Sequence, residues 1–340
     1  MLKQNFYRIL LSTFLVASLI SYAVPESKLN SRTNKNITNY WKQAKTFSFM
    51  GTHQVPIQVY AFTKRSQAPA IVIVPGRTEA SQNYAELIYD LRSSPYSVYV
   101  YDHRGQGLSG RIAPDTEMGH VDDFNDYVAD LNILLDTYIN PQKKRDVFIF
   151  AHSMGANIAT LALNAQPDLA KALFMTSPMF KINTGKIPRL AGKALSYLAN
   201  VIGNDESFAL GKKAWSKNEE QFTGNLISNN KKRFSFVIDN YIQNPKLRIA
   251  GPSYGWALEA FRSCSWVRKI RDFKTPTFIL TSARDQVVKN DAAAEFCTSM
   301  ATQCEHYEIA ESKHHPLLEG DHIRDVLMYN MLKFYKSHSK

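Results

Sequence analysis

The sequence predicts an α/β fold with a mostly parallel sheet, helices on both faces and a helical insertion. Short, continuously apolar and β-branched stretches such as Ala70 to Val74 are typical of strands covered on both sides. Stretches with apolar residues at helical spacing lie between them, as in the helix predicted from about Val121 to Ile139. Strands that alternate with helices in this way indicate a parallel sheet.

The remaining elements follow the same order along the chain. Further strands are predicted at 55–61, 98–101, 147–151, 172–176, 277–281 and near Tyr307. Helices are predicted at 84–91, directly after 151, near 292–300 and at 324–335. Residues 47–178 and 257–340 are therefore expected to form the core. Residues 24–46, rich in Asn, Ser and Lys, are expected to be a loose lead-in.

Residues 179–256 break this alternation. They contain apolar helical stretches such as Leu190 to Ile202 and no clear buried strand, and they lie between two core strands. We interpret them as a helical cap over the carboxyl ends of the strands, where ligands bind in folds of this kind.

The first residues have the pattern of an export signal. Lys3 and Arg8 precede an uncharged apolar run from Ile9 to Val24. In Ser21-Tyr22-Ala23, the first and last residues are small and occupy the two positions that signal peptidase recognises. Residues 1–23 are thus predicted to be removed, giving a periplasmic or secreted protein. The alternative is an uncut anchor in the inner membrane, although a membrane span needs about 20 residues.

The composition excludes a disordered chain, because 44% of the 340 residues are hydrophobic. The net charge of +11 becomes +9 without Lys3 and Arg8. Between Lys181 and Arg233, ten basic residues face four acidic ones, so the cap is predicted to be basic. Such a surface can attract anionic membranes, phospholipid headgroups or nucleic acid. The alternative is that these charges only form a solvated surface.

Three cysteines occur in the chain. Export permits a disulfide, and Cys297 and Cys304 are close enough in sequence to close a small loop. Cys264 is then expected to be a buried, inert thiol. The spacing of the three matches no zinc motif, so no metal is predicted.

Ala151-His152-Ser153-Met154-Gly155 lies between a predicted buried strand and a predicted helix. A sharp strand-to-helix turn that exposes a nucleophile needs small residues two positions before and after it, which Ala151 and Gly155 provide. Ser153 is therefore the predicted nucleophile. The alternative is an ordinary serine in a turn.

The acid and the histidine are expected to follow the serine in that order. Asp285 comes just beyond a predicted strand, where a carboxylate can orient an imidazole, although a turn-capping role is the alternative. The candidate bases are His314, His315, His322 and His338. His314 is preferred because it follows the last core strand in a polar loop, and its neighbour His315 is the rival. No second ligand cluster suggests that this histidine pair binds a metal.

Two backbone N–H groups are needed to hold an oxyanion. One is predicted at Met154, directly after the nucleophile, and the other at Arg77, in the turn after the strand that ends at Val74. Gly76 permits a close backbone approach there. The glycine-rich turn from Tyr101 to Ser109 lacks the Gly-Lys-Ser/Thr ending of a phosphate loop and is predicted to be structural.

The order of these motifs resembles that of bacterial lysophospholipases in the monoacylglycerol-lipase-like branch of α/β-hydrolases. The resemblance spans about residues 47–337 and rests on PGRTEAS, YDHRGQGLSGR, GHVDDFNDYVADL, AHSMGANIATL, SPMF, GPSYGW and KHHPLLE. It implies an α/β-hydrolase fold that hydrolyses the fatty-acyl ester of a lysophospholipid without metal or cofactor. It also implies that Ser153, Asp285 and His314 are catalytic, with Arg77 and Met154 as oxyanion donors and the cap covering the acyl pocket.

Three alternatives stay open. The same chemistry can act on a monoacylglycerol or a short ester, or the fold can bind lipid or a partner without catalysis. A nucleic-acid binder using Lys231-Lys232-Arg233 is disfavoured by the export signal and by the lack of a recognition motif. Headgroup preference, acyl length, oligomeric state and transfer of the acyl group to an alcohol instead of water are not fixed by the sequence.

Overall fold

The computed structural model describes residues 23–300 and 303–339, so the predicted signal lies outside the described residues except for Ala23. The described strands are β1 (Lys45–Met50), β2 (Pro56–Phe62), β3 (Ala70–Val74), β4 (Ser97–Tyr101), β5 (Val147–His152), β6 (Ala172–Thr176), β7 (Thr277–Ser282) and β8 (Cys304–Ile309). They form one sheet in the order β1-β2-β4-β3-β5-β6-β7-β8. The β1–β2 and β2–β4 pairs are antiparallel and the others parallel, which confirms the predicted fold class.

Helices cover both faces of this sheet. In the described part of the chain they are α1 (Ser31–Trp41), α2 (Ala85–Asp90), α3 (Phe124–Ile133), α4 (Met154–Ala165), α5 (Arg189–Val201), α6 (Lys231–Gln243), α7 (Tyr254–Val267), α8 (Asp291–Ser299) and α9 (Asp321–Ser337). Val72 and Val74 of β3 join the apolar cluster under α3, α4, α7 and α8, whereas Ile71 and Ile73 join the cluster under α2 and α9. Because β3 is buried on both sides, its sequence is a continuous apolar run.

The expectation of a loose lead-in at residues 24–46 is wrong. Asn30 caps α1 by accepting a hydrogen bond from the Thr33 N–H, and Ile37 is buried. Trp41 packs on Tyr60 with ring centroids 4.7 Å apart. Only Ile37 of this helix is fully buried, so its composition resembles that of a polar surface segment and does not reveal the few positions that pack on the core.

The first strand, β1, was also missed. It lies at the edge of the sheet, and among its residues only Phe49 is buried. An edge strand with one buried side chain lacks the apolar alternation that identifies a half-buried strand from sequence.

The predicted cap, residues 179–256, contains α5, α6 and the first residues of α7. The expected end of the cap at residue 256 therefore falls inside α7, whose later residues pack on the core. Apolar side chains of α6, including Phe234 and Tyr241, pack against Ala80 and Leu318 of the core. The cap is thus fixed to the loops that follow β3 and β8.

A disulfide joins Cys297 at the end of α8 to Cys304 at the start of β8, with Cα atoms 5.2 Å apart. Cys264 is a buried free thiol, and burial raises its pKa to about 12, so it stays protonated and unreactive near neutral pH. None of the helices in residues 23–300 and 303–339 has the length and apolar content needed to cross a membrane.

Candidate active site

Ser153 lies at a sharp turn between β5 and α4. Its backbone has φ 52° and ψ −115°, a strained conformation for a residue with a side chain. A Cβ atom on Gly155 would lie 2.1 Å from the carbonyl oxygen of Val74, so only glycine allows α4 to begin so close to β3. The turn sets Ser153 at the carboxyl edge of the sheet, where the residue is only 7% exposed.

The side chains of Ser153, His314 and Asp285 form a hydrogen-bonded chain. His314 Nε2 lies 2.9 Å from Ser153 Oγ, and His314 Nδ1 lies 2.6 Å from Asp285 Oδ2. When Nδ1–H donates to the carboxylate, the Nε2 lone pair faces the serine hydroxyl and can accept its proton.

The Asp285 carboxylate is itself held in place. Its Oδ1 accepts the backbone N–H groups of Val287 and Val288 at 2.7 and 3.0 Å, and its side chain is fully buried. A carboxylate fixed in this way both orients the imidazole ring of His314 and stabilises the positive charge that the ring gains.

The cap contacts the loop that carries His314. The backbone N–H of His315 donates to the carbonyl oxygen of Ile227 at 2.9 Å. The ammonium group of Lys313 donates to the carbonyl oxygen of Asn225 at 2.8 Å. The position of the histidine therefore depends on the position of the cap.

The backbone N–H groups of Arg77 and Met154 are the predicted oxyanion donors. Neither donates to a protein acceptor among the described residues, as expected of Met154 at the first position of α4. Gln106 braces the turn that carries Arg77, because its side chain accepts from the Thr78 N–H at 2.9 Å and donates to the Gly76 carbonyl at 3.1 Å. The glycine-rich turn thus has a structural role, as predicted.

Glu79 lies at the same turn, and the sequence analysis did not identify it. It accepts hydrogen bonds from the Gly76 N–H and from the hydroxyl of Tyr84, and its second oxygen lies 2.9 Å from Nε2 of His315 and 3.6 Å from Nε2 of His152. Burial acts to raise the pKa of Glu79, but the facing histidines and the tyrosine hydroxyl lower it well below its usual range. Glu79 belongs to the PGRTEAS motif but was assigned no role from sequence, because its partners Tyr84, His152 and His315 lie in separate parts of the chain.

Glu79, His152 and His315 place one oxygen and two ring nitrogens within 4.8 Å of one another, a donor set that suits a divalent metal. The carboxylate already binds the Gly76 N–H and the Tyr84 hydroxyl. The expectation that no other ligand-type residues lie beside the histidine pair is therefore wrong, because residues distant in sequence meet here. We interpret the cluster as a buried polar network behind the base.

The other candidate histidines lie elsewhere. His315 points to Glu79 and makes no hydrogen bond to Ser153. His322 is on the surface beside Glu311, and His338 packs against the ring of Phe334 at the end of α9. Of the four candidates, only His314 bonds to the serine.

The chain is similar to a family of hydrolases and lipases. The family described as serine aminopeptidase, S33, matches residues 65–321. Over 311 residues, 89% of this chain and 91% of the relative, 32% of positions are identical to lysophospholipase L2 of Escherichia coli strain K12. Rattus norvegicus monoglyceride lipase is 25% identical over 248 residues, 73% of this chain and 75% of that protein.

Among solved structures, a soluble variant of monoglyceride lipase from Saccharomyces cerevisiae, in complex with a substrate analog, has a TM-score of 0.69. The match covers 88% of this chain and 95% of that one at 14% identity. At this identity the likeness concerns the fold alone.

Proposed function

Since this chain belongs to the serine aminopeptidase S33 family and is a serine hydrolase, we propose that it is a lysophospholipase that acts through an acyl-enzyme on Ser153. The likeness to lysophospholipase L2, over most of both chains, supports a lysophospholipid substrate. The observation that carries the mechanism is the hydrogen-bonded chain from Ser153 through His314 to Asp285.

In the proposed first step, His314 Nε2 takes the proton of Ser153 as Oγ attacks the carbonyl carbon of the fatty-acyl ester. The N–H groups of Arg77 and Met154 hold the negative oxygen of the tetrahedral intermediate. His314 then protonates the leaving glycerophosphate-bearing alcohol, and the fatty acyl group stays on the serine.

In the second step, water enters where the alcohol left. His314 takes a proton from the water as its oxygen attacks the acyl carbon, and then returns that proton to Ser153 Oγ as the fatty acid departs. An alcohol that replaced the water would give acyl transfer by the same steps.

Fatty-acid release from lysophosphatidylcholine and from monoolein tests the choice of substrate. The proposal expects a higher kcat/KM for the lysophospholipid, and Ser153→Ala is the control for serine-dependent release. Preference for monoolein would instead favour a monoacylglycerol lipase, the second candidate, which the similarity to Rattus norvegicus monoglyceride lipase supports. If neither lipid is hydrolysed but another ester is cleaved in a serine-dependent way, the protein is a general esterase. If no ester is hydrolysed, a non-catalytic lipid-binding protein is favoured.

We also propose that the cap rests on the surface of an anionic membrane. Helix α5 buries only Ser196 and Ala199 and turns its large apolar side chains outward. Leu190 is 82% exposed and Ile202, directly after the helix, is 75% exposed. An apolar helix face bordered by basic residues is typical of helices that lie in a membrane interface.

Basic side chains lie at the N-terminal end of this face. Lys186, Arg189 and Lys193 lie within the first turns of α5 or just before it. Their charges favour anionic headgroups at the depth where the apolar side chains enter the bilayer. Because the cap contacts the loop that carries His314, this orientation would bring the site close to the lipid from which the substrate comes.

We further propose that the protein is exported and cut after Ala23, as a periplasmic or secreted protein, with an uncut inner-membrane anchor as the alternative. The residues that follow this position are bonded to the core. The Val24 N–H donates to Asp90 at 2.9 Å, and the Glu26 N–H donates to Asp321 at 2.8 Å. Because Ala23 is buried, a cut there has to occur before folding, as it does during export.

A further inference from the structure

Buried arginines in this fold are paired with acids. Arg104, Arg233 and Arg324 are almost fully buried, and each pairs with two carboxylates: Asp126 and Asp130 for Arg104, Glu86 and Asp321 for Arg233, and Asp90 and Glu86 for Arg324. Such pairing offsets the cost of removing a charge from water.

Arg77 is partly buried and lacks such a partner. One guanidinium nitrogen donates to the carbonyl oxygen of Ala250 at 2.7 Å, and the group lies over the ring of Trp256 with 5.1 Å to its centroid. Among residues 23–300 and 303–339, no carboxylate forms an ion pair with it, and its remaining N–H groups meet no acceptor.

The charge of Arg77 nevertheless persists. Burial lowers the pKa of its guanidinium to about 10, which leaves it protonated near neutral pH. A partly buried guanidinium with no carboxylate partner keeps N–H donors free to bind an anion. The free chain supplies no such anion, so a bound ligand is the natural source.

The length of the Arg77 side chain fixes how far its guanidinium can lie from the ester carbonyl that is attacked. The backbone N–H of Arg77 is the proposed oxyanion donor, so the side chain of Arg77 begins beside the ester carbonyl. In arginine, five atoms separate the backbone nitrogen from the guanidinium carbon. In a 1-acyl lysophospholipid, the same number separates the ester carbonyl carbon from the phosphorus.

We propose that the Arg77 guanidinium binds the phosphate of the lysophospholipid headgroup while the backbone N–H of the same residue binds the oxyanion. This inference rests on the proposed function and adds to it the residue that selects the headgroup. The planar guanidinium suits two oxygens of a phosphate, and Ala250 and Trp256 hold it in place from the cap side.

The same arrangement disfavours a monoacylglycerol. A hydroxyl group then stands where the phosphate would be, and the guanidinium charge has no anionic partner in the enzyme–substrate complex. Arg77 therefore separates the two substrate classes through the charge of the leaving group, without any change in the steps at Ser153.

Substitution of the side chain tests this, because the backbone N–H remains. We expect Arg77→Gln to lower the ratio of kcat/KM for lysophosphatidylcholine to that for monoolein about ten- to a hundredfold, the worth of a charged hydrogen bond. Arg77→Lys keeps the charge and should lower the ratio less. Equal losses on both substrates would mean that Arg77 only holds the cap or the turn, and would overturn the inference.

Arg248→Gln is the matched control. Arg248 also lies at the cap, over the ring of Trp215 at 5.6 Å, and donates to the carbonyl oxygen of Tyr241 at 3.0 Å. Its loss should leave the ratio unchanged, and a fall equal to that of Arg77→Gln would overturn the inference. The rate at which a fluorophosphonate labels Ser153 in each variant shows that the site is folded.

Two further results separate the possible failures. Wild-type preference for monoolein would contradict the proposed function itself, whereas wild-type preference for lysophosphatidylcholine with an unchanged ratio in Arg77→Gln would contradict only the role of Arg77. Glycerophosphocholine should inhibit wild-type monoolein hydrolysis, and Arg77→Gln should weaken this inhibition. Equal inhibition by inorganic phosphate would assign a free-anion site and overturn the headgroup assignment.

Discussion

Asp285 Oδ2 lies 2.6 Å from His314 Nδ1, and the carboxylate that makes this contact is fully buried and fixed by two backbone N–H groups. Such a carboxylate sets which ring nitrogen of His314 carries the proton. The tautomer that faces Ser153 with a lone pair therefore depends on Asp285.

Asp285→Asn should lower kcat by roughly 10³- to 10⁴-fold, because an amide in this position favours the wrong tautomer of His314. Steady-state kinetics on lysophosphatidylcholine measure the change. Asp291→Asn is the control, since Asp291 lies at the surface and pairs with Lys181. A kcat for Asp285→Asn within a few-fold of wild type would show that Asp285 does not act through His314.

Gly155→Ala should disrupt the turn at Ser153, because its Cβ would meet the Val74 carbonyl oxygen at 2.1 Å and backbone cannot easily move. We expect loss of fluorophosphonate labelling and a lower Tm. The control is Gly192→Ala in α5, whose Cβ would have its nearest neighbour at 3.6 Å and which should be neutral or stabilising by up to about 1 kcal/mol. Normal labelling of Gly155→Ala would refute the tight packing of α4 on β3.

Acidification should destabilise the fold between about pH 6.5 and 4. Burial lowers the pKa of His103 from 6.5 to about 4, so the unfolded chain binds a proton in this range that the folded chain does not. The stability from His103 is present above pH 6.5 and is lost, by a few kcal/mol, as pH falls toward 4. Burial also lowers the pKa of His152, with the same sign.

Urea unfolding at a series of pH values measures this dependence. The slope of the free energy of unfolding against pH reports how many protons are taken up on unfolding. In His103→Asn, this number should be smaller by up to one over this interval. An identical slope in both proteins would mean that His103 titrates in the folded state much as it does in the unfolded chain.

Replacing Leu190 and Ile202 by Ser should weaken binding to anionic phosphatidylglycerol vesicles, because these are the most exposed large apolar side chains of the cap. Binding should also fall with added salt, since the surrounding lysines and arginine contribute. Vesicle sedimentation measures both effects. Tyr329→Ser, an exposed aromatic on α9, is the control, and undiminished binding of the α5 variant would exclude this face.

The elements with the clearest apolar runs could be predicted closely from the sequence. Strands β3 and β6 have the predicted bounds because every residue in them is buried. Helix α1 and strand β1 were missed because each has only one buried residue. Local sequence carries little signal for elements that pack with so few side chains.

At the site, Ser153, His314 and Asp285 could be chosen by motif and chain order, and they lie together in the structure. Glu79 could not be found in this way, since its role depends on contacts with distant His152 and His315. The sequence alone could not predict that Arg77 lacks an acidic partner, because ion pairs between distant residues are defined only in the folded chain.

Mass spectrometry of the acid-quenched reaction tests directly whether an acyl-enzyme forms on Ser153. Within the first turnovers on lysophosphatidylcholine, we expect a fatty-acyl mass increase on the peptide that contains Ser153. Ser153→Ala should show no such increase and should lose about 10⁴-fold or more of kcat. An adduct on another residue, or undiminished turnover by Ser153→Ala, would show that Ser153 is not the nucleophile.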